Sequence, residues 1–251
     1  VALLDQISAF WEMESGALTT DATANAQTLT NVNSLTSSGT GPTKVGNYAS
    51  FSGGTGYFTH ADSSALELCG GDFSISFWYY SPATGNQYWM INKRTSSNPG
   101  REYQIGINGG NLFFAVFDGT TTGFNETTAS EPSATTWHHI VGTYVASSNT
   151  NSLYIDNGTP TTSTSASITP LAGSGTFAIG TRAWSNGTSN FDGRMDQVGL
   201  WKRALSSGEV SQLYNSGNGL SYAAMQPAAG LLSPNIYQFP KRQSLRRAAN
   251  W

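Results

Sequence analysis

The chain has 251 residues, of which 38% are hydrophobic, 12% aromatic and only 11% charged, so its core must lean on the large area that each aromatic ring buries. A formal net charge of −3 argues against general nucleic-acid binding, and no run approaches the roughly 18 apolar residues of a membrane-crossing helix. The single cysteine, Cys69, excludes an internal disulfide and an all-cysteine zinc site, which leaves it the role of a small buried apolar group.

The predicted elements are mostly short strands. Ser8 to Gly16 opens with Phe10 and Trp11, and Met13 points the same way as Trp11. A polar stretch, Thr19 to Thr30, follows. Lys44 to Gly53 and Gly56 to His60 read as two strands around a glycine turn. Asp72 to Tyr80 is the clearest strand, with Phe73, Ile75, Phe77 and Tyr79 on one face and Ser74, Ser76, Trp78 and Tyr80 on the other. Trp78 and Tyr80 then either line a concave sheet surface or pack under a loop. Trp89 to Lys93, Glu102 to Ile107 and Asn111 to Phe117 are further strands, the last two joined by a hairpin turn at Asn108-Gly109-Gly110. Thr136 to Tyr144 carries adjacent histidines, which face opposite sides of a strand and cannot jointly chelate one ion; His139 is read as structural and His138 as exposed. Asn151 to Gly158 and Phe177 to Arg182 complete the strand series.

Phe191 to Trp201 has apolar residues at Phe191, Met195, Val198, Leu200 and Trp201 and glycines at Gly193 and Gly199, which suits a strand with a bulge or bend. A helix follows. Ser206 and Glu209 form a capping box, Leu205 can pack back on Val210 as a hydrophobic staple, and Leu213 and Tyr214 extend the apolar face. Asn215-Ser216-Gly217 stops it. Charge then changes sign: residues 1–222 hold all 15 acids and 8 of the 12 bases, a net −7, whereas 223–251 hold Lys241, Arg242, Arg246 and Arg247 and no acid, a net +4.

The run Phe191, Gly193, Met195, Asp196, Val198, Leu200, Trp201, Arg203, Ala204, Leu205, Ser206, Glu209, Val210, Leu213 and Tyr214 resembles the closing signature of the laminin-G-like, concanavalin A-like jelly-roll family. The opening Phe10-Trp11 strand, Gly46-Ala49-Phe51-Gly53, Asp72-Phe73, Trp137-His139 and Leu153-Tyr154-Ile155-Asp156 are similar to further family segments. The likeness runs across roughly residues 8 to 222. It implies an all-β, two-sheet antiparallel jelly-roll sandwich with one short C-terminal helix. The domain is expected over 1–222, with an extended basic tail over 223–251.

The resemblance also implies function. Several relatives hold calcium against the loop that Thr19 to Thr30 occupies, so Asp21 and Asn25, with Asp196, are candidate calcium ligands, although Ala24 and Ala26 replace the usual glycine and second Asn or Asp. The glucanase branch carries an E-x-D-x-x-E strand, which is absent here, and Asp192 with Asp196 is a poor substitute. G-x-S-x-G, H-E-x-x-H and phosphate-loop motifs are also absent. A non-catalytic adhesion module for a glycan or surface polysaccharide is therefore expected, working outside a cell, on its surface or on a virion. Tyr88, Trp89, Phe124 and Trp184 are its candidate ligand-stacking residues. The alternative is a structural subunit of an extracellular filament, envelope or virion, a homo-oligomer assembled through Ile236, Tyr237, Phe239, Lys241, Arg242, Arg246, Arg247 and Trp251 of the tail. Asn125, Asn157 and Asn186 begin glycosylation sequons.

Overall fold

The computed structural model describes residues 2–42, 45–95, 100–119, 123–166, 168–182 and 189–226. Trp184, Asn186 and the tail residues Ile236, Tyr237, Phe239, Lys241, Arg242, Arg246, Arg247 and Trp251 lie outside the described residues. In chain order the strands are β1 (Ile7–Trp11), β2 (Thr30–Val32), β3 (Thr36–Ser38), β4 (Tyr48–Ser52), β5 (Tyr57–His60), β6 (Phe73–Tyr80), β7 (Gln87–Arg94) and β8 (Arg101–Asn108), then β9 (Asn111–Phe117), β10 (Phe124–Ser130), β11 (Trp137–Val145), β12 (Thr150–Ile155), β13 (Thr161–Thr164), β14 (Thr176–Ile179) and β15 (Asp192–Trp201). Two helices follow, α1 (Ser207–Tyr214) and α2 (Tyr222–Met225).

The strands form two antiparallel sheets. An eight-stranded sheet runs β13-β12-β11-β6-β15-β4-β3, with β1 also on β15, and a seven-stranded sheet runs β10-β9-β8-β7-β14-β5-β2. This is the jelly-roll sandwich that the sequence predicts. Strand β15 serves two neighbours on one side because its register shifts between Asp196 and Gly199. Its first half pairs with β4 and its second with β1, and Gln197 takes a left-handed φ of 50° at the shift. The bend read from Gly193 and Gly199 is therefore a bulge that lets one strand complete two edges.

Alternation on β6 splits its side chains as predicted. Phe73, Ile75, Phe77 and Tyr79 join the main core between the sheets. Trp78, on the opposite face, stacks on His139 at 5.0 Å and on Tyr214 at 5.7 Å, so it is sealed by α1. A second cluster, Phe10, Val141, Trp201, Leu205, Val210, Leu213 and Met225, lies where α1 covers the outside of the eight-stranded sheet.

The capping box is formed. Ser206 Oγ accepts from Glu209 N, and Glu209 Oε2 accepts from Ser206 N at 2.9 Å. Arg203 adds a two-pronged bridge to the same carboxylate at 2.9 and 2.7 Å and donates to the carbonyls of Asp5 and Ala2. Burial would raise the Glu209 pKa, but Arg203 and Ser206 outweigh it and bring the carboxyl down to about 2. Asn215, in the left-handed region at φ 47°, ends α1 where expected. Packing continues past Tyr222: Ser221 Oγ caps α2 by accepting from Ala224 N, and Met225 is buried.

Candidate functional site

The outward face of the seven-stranded sheet is the strongest candidate site. Strand β9 is apolar on both faces: Leu112, Phe114 and Val116 enter the main core, while Phe113, Ala115 and Phe117 join Trp89 in a separate cluster on the other side. Cross-strand pairing lays this face out in rows. Trp89 is opposite Gly106, then Phe113, then Thr128. Ala178 is opposite Asn92, then Gln104, Ala115 and Glu126. Thr176 is opposite Arg94, Arg94 opposite Arg101, and Phe117 opposite Phe124. Gly106 is required by close approach, since a Cβ there would lie 2.9 Å from the Phe113 ring and 2.4 Å from the Tyr88 carbonyl oxygen. Without that side chain, Phe113 reaches across to meet Trp89 edge-on at 5.4 Å.

Guanidinium groups lie over the rings. Arg182 sits 4.3 Å above Trp89 and Arg94 5.8 Å from it, while Arg101 is 6.0 Å from Phe117. Arg94 Nη1 donates to Gln104 Oε1 at 2.9 Å. Burial, followed by the charges of Arg101 and Arg182, lowers the Arg94 pKa to about 9. Phe124, 44% exposed, packs on Phe117 at 5.8 Å at the edge strand.

The sequence candidates divide across the sheet. Trp89 and Phe124 lie on this face, whereas Tyr88 turns into the main core and meets Phe191 edge-on at 5.3 Å. Sequence reasoning did not find Phe113, Phe117, Gln104 or the three arginines. The available signal was the run Leu112-Phe113-Phe114-Ala115-Val116-Phe117, in which both strand faces are apolar.

The sequence of residues 52–211 matches the family model described as the concanavalin A-like lectin/glucanases superfamily. The chain belongs to this superfamily. Several solved structures of similar fold are binding domains. The binding domain of Paraclostridial Mosquitocidal Protein 1 is 19% identical at a TM-score of 0.69, covering 84% of this chain and 52% of that one. The receptor binding domain of botulinum neurotoxin C/D mosaic serotype is 13% identical at 0.68, covering 86% and 55%. The botulinum neurotoxin serotype D ligand binding domain, solved in complex with N-acetylneuraminic acid, is 12% identical at 0.67, covering 86% and 55%. The lectin-like chain thus spans about half the length of these structures, and at such identities the likeness is one of fold. No curated protein matches it in sequence.

Calcium, which the superfamily resemblance led us to expect, does not fit the Asp21 loop. Asp21 Oδ1 accepts from Phe10 N at 3.0 Å and Thr23 N at 2.9 Å, and Oδ2 accepts from Thr23 Oγ1 at 2.9 Å and Gln27 N at 2.8 Å. Those four donors fill the acceptor positions of a carboxylate. Asn25 turns its amide nitrogen, not its oxygen, onto the loop's neighbour, donating to the Ser8 carbonyl at 2.9 Å. Asp196 is elsewhere, fully buried on β15, with Oδ1 accepting from Gln197 N and Oδ2 without a hydrogen-bond partner among the described residues. Burial pushes its carboxyl well up, and Glu14 and Glu12 add to this. Among the described residues no three His, Cys, Asp or Glu side chains gather as a metal site.

Two other constellations bear on catalysis. His138, expected to be exposed, is buried: Nδ1 faces Asp156 Oδ2 at 2.6 Å, while Nε2 lies 2.9 Å from the Ser133 carbonyl oxygen and 3.3 Å from its hydroxyl. With acceptors at both nitrogens the ring is held as a double donor, so it is not a base for the Ser133 hydroxyl. Burial lowers the His138 pKa, but Asp156 and the Ser133 carbonyl outweigh it, giving a net rise. His139 is fully enclosed and pushed down to about 3 by burial, a neutral structural ring as expected. Of the sequons, Asn125 is buried and donates to the Asn149 and Ser163 carbonyls, so it has no room for a glycan; Asn157 is exposed.

Proposed function

We propose that the chain is a non-catalytic carbohydrate-binding module, acting outside a cell or on a particle surface, that takes an acidic saccharide on the outward face of its seven-stranded sheet. The observation that carries this is the layer of Arg94, Arg101 and Arg182 over Trp89 and Phe117. Arg182, over the Trp89 ring, and Arg101 are each partly exposed and present planar forks suited to carboxylate or sulfate oxygens, while Arg94 is buried and donates to Gln104. Phe124 supplies an exposed ring at the same face. The serotype D neurotoxin domain, a fold neighbour, was solved with N-acetylneuraminic acid, itself an acidic sugar.

The test is calorimetric titration with uronate-containing, sulfated and neutral oligosaccharides at low and high salt, on the wild type and on Arg101→Gln. Wild-type binding of an acidic oligosaccharide that weakens in high salt, and falls about 10-fold or more in the variant, is the expected result, since a hydrogen bond to a charged group is worth about 1.5–3 kcal/mol. Absence of binding to all three classes would reject the module. Equal affinity for neutral and acidic sugars would reject this face as its site.

A further inference from the structure

Strand β7 carries a lysine into the interior of the sandwich. Lys93 is fully buried, and its ammonium nitrogen meets Asp62 Oδ1 at 2.7 Å, the Gly173 carbonyl oxygen at 2.6 Å and Glu102 Oε1. Sheet order explains the convergence. Lys93 is flanked by Tyr103 of β8 and Phe177 of β14, and Phe177 is in turn opposite His60, two residues before Asp62. Gly173, in the segment leading to β14, closes over Glu102, where a Cβ would stand 3.5 Å from Glu102 Cγ.

The two carboxylates are unlike. The Glu102 side chain is fully enclosed and its Oε2 has no hydrogen-bond partner among the described residues. Burial raises its carboxyl to about 7 against the pull of Lys93, so near neutral pH it both holds and releases a proton. The neighbouring Cys69 and Tyr103 are pushed up as well, by burial first and the Glu102 charge second. Asp62 instead keeps 35% of its side chain open to solvent. One carboxylate would neutralise Lys93. The second, dry and half satisfied, adds a desolvation cost that a plain ion pair would not need.

We propose that Lys93 and Asp62 condense into an intramolecular isopeptide bond, with Glu102 as the proton relay. Glu102 takes a proton from Lys93 Nζ, freeing the nitrogen lone pair to attack Asp62 Cγ, which lies one bond beyond the oxygen already in contact. Glu102 then passes to the departing Asp62 oxygen both that proton and the second one, which the nitrogen sheds as it is acylated. The Nζ–Cγ bond forms, the Cγ–O bond breaks, and one water leaves through the solvent-facing side of Asp62. Ammonium plus carboxylate becomes neutral amide plus water, so charge and atoms balance without an oxidant or co-reactant. Fixed placement of amine and acyl group replaces the activation that amide formation needs in water.

The experiment is intact mass spectrometry of the folded full chain with peptide mapping. The wild type is expected to be lighter than its sequence by one water, with a branched peptide joining the segments that contain Asp62 and Lys93. Asp62→Ala keeps the Lys93–Glu102 pair, so it folds, and it should run at its full sequence mass; Lys93→Met should do the same. Glu102→Gln should stay unlinked while circular dichroism shows a native sheet. A folded wild type at full mass overturns the proposal. So does water loss that persists in Lys93→Met, which would mark cyclisation at an Asp instead. A branched peptide in Glu102→Gln would overturn the relay.

Discussion

Replacing Asp21 by Ala separates a hydrogen-bonding role for this residue from a calcium-binding one. The substitution leaves three backbone N–H groups and a hydroxyl without their acceptor. Phe10 and Thr23 are buried, whereas Gln27 is half-buried and water can take its place. Leaving a buried donor unpaired costs about 1–3 kcal/mol. The two enclosed N–H groups therefore set a loss of about 2–6 kcal/mol, and at about 2–4 °C per kcal/mol for a domain of this size the melting temperature should fall by roughly 10 °C. Near-ultraviolet circular dichroism melts of wild type and variant, each in calcium and in chelator, read this directly. The wild-type melt should be the same in both media, and calcium should not rescue Asp21→Ala. A variant that melts within about 2 °C of wild type, or a wild type that loses its stability in chelator while the variant does not respond, would refute the reasoning.

Three further outcomes can be checked. The folded pKa of His138 lies above its ordinary value of 6.5, so its contribution should be complete below that pH and vanish as pH rises through the folded value; the melting difference between wild type and His138→Gln, followed from pH 5 to 9, should shrink with rising pH. Glu209 has the opposite sign: with its pKa brought down from 4.5 to about 2, its contribution is present above the unfolded value and lost as pH falls towards 2. Glu209→Gln should cost about 1 kcal/mol at pH 7 by urea unfolding, and nothing in strong acid. Gly106→Ala places a methyl group against Phe113, so it should destabilise by about 1–3 kcal/mol and alter the fluorescence of Trp89 by displacing its edge-on partner.

How much of this was legible in sequence depends on whether the signal was local. The end of the chain was readable because Ser206, Glu209, Leu205 and Val210 interact within five positions, and β6 because its alternation is unbroken. The faces of Tyr88 and Trp89 were not readable: the register of β7 shifts between Trp89 and Ile91, so period-two counting from Lys93 cannot say which of the two is outward. The arginine patch was hidden by topology, since β14 lies beside β7 although 82 residues separate Thr176 from Arg94. Adjacent β8 supplies Arg101 beyond a shift of register between Lys93 and Arg94. Asp21 fell in the expected loop, but residue identity alone could not say whether its oxygens faced a cation or four hydrogen-bond donors.

The hold of Arg203 on the carbonyls of Ala2 and Asp5, with Trp201 Nε1 donating to the Leu3 carbonyl at 2.7 Å and Tyr222 N to Glu12 Oε1 at 2.8 Å, brings the first and last turns of the sandwich to one corner. A short linker could join Ala2 to Met225 there, and the sequence could be reopened at a hairpin such as Asn108 to Asn111 without cutting any other strand pairing. The same corner would let this sandwich be spliced as a cassette into a surface loop of another protein, entering and leaving through one narrow gate while its arginine-bearing sheet stays turned outward.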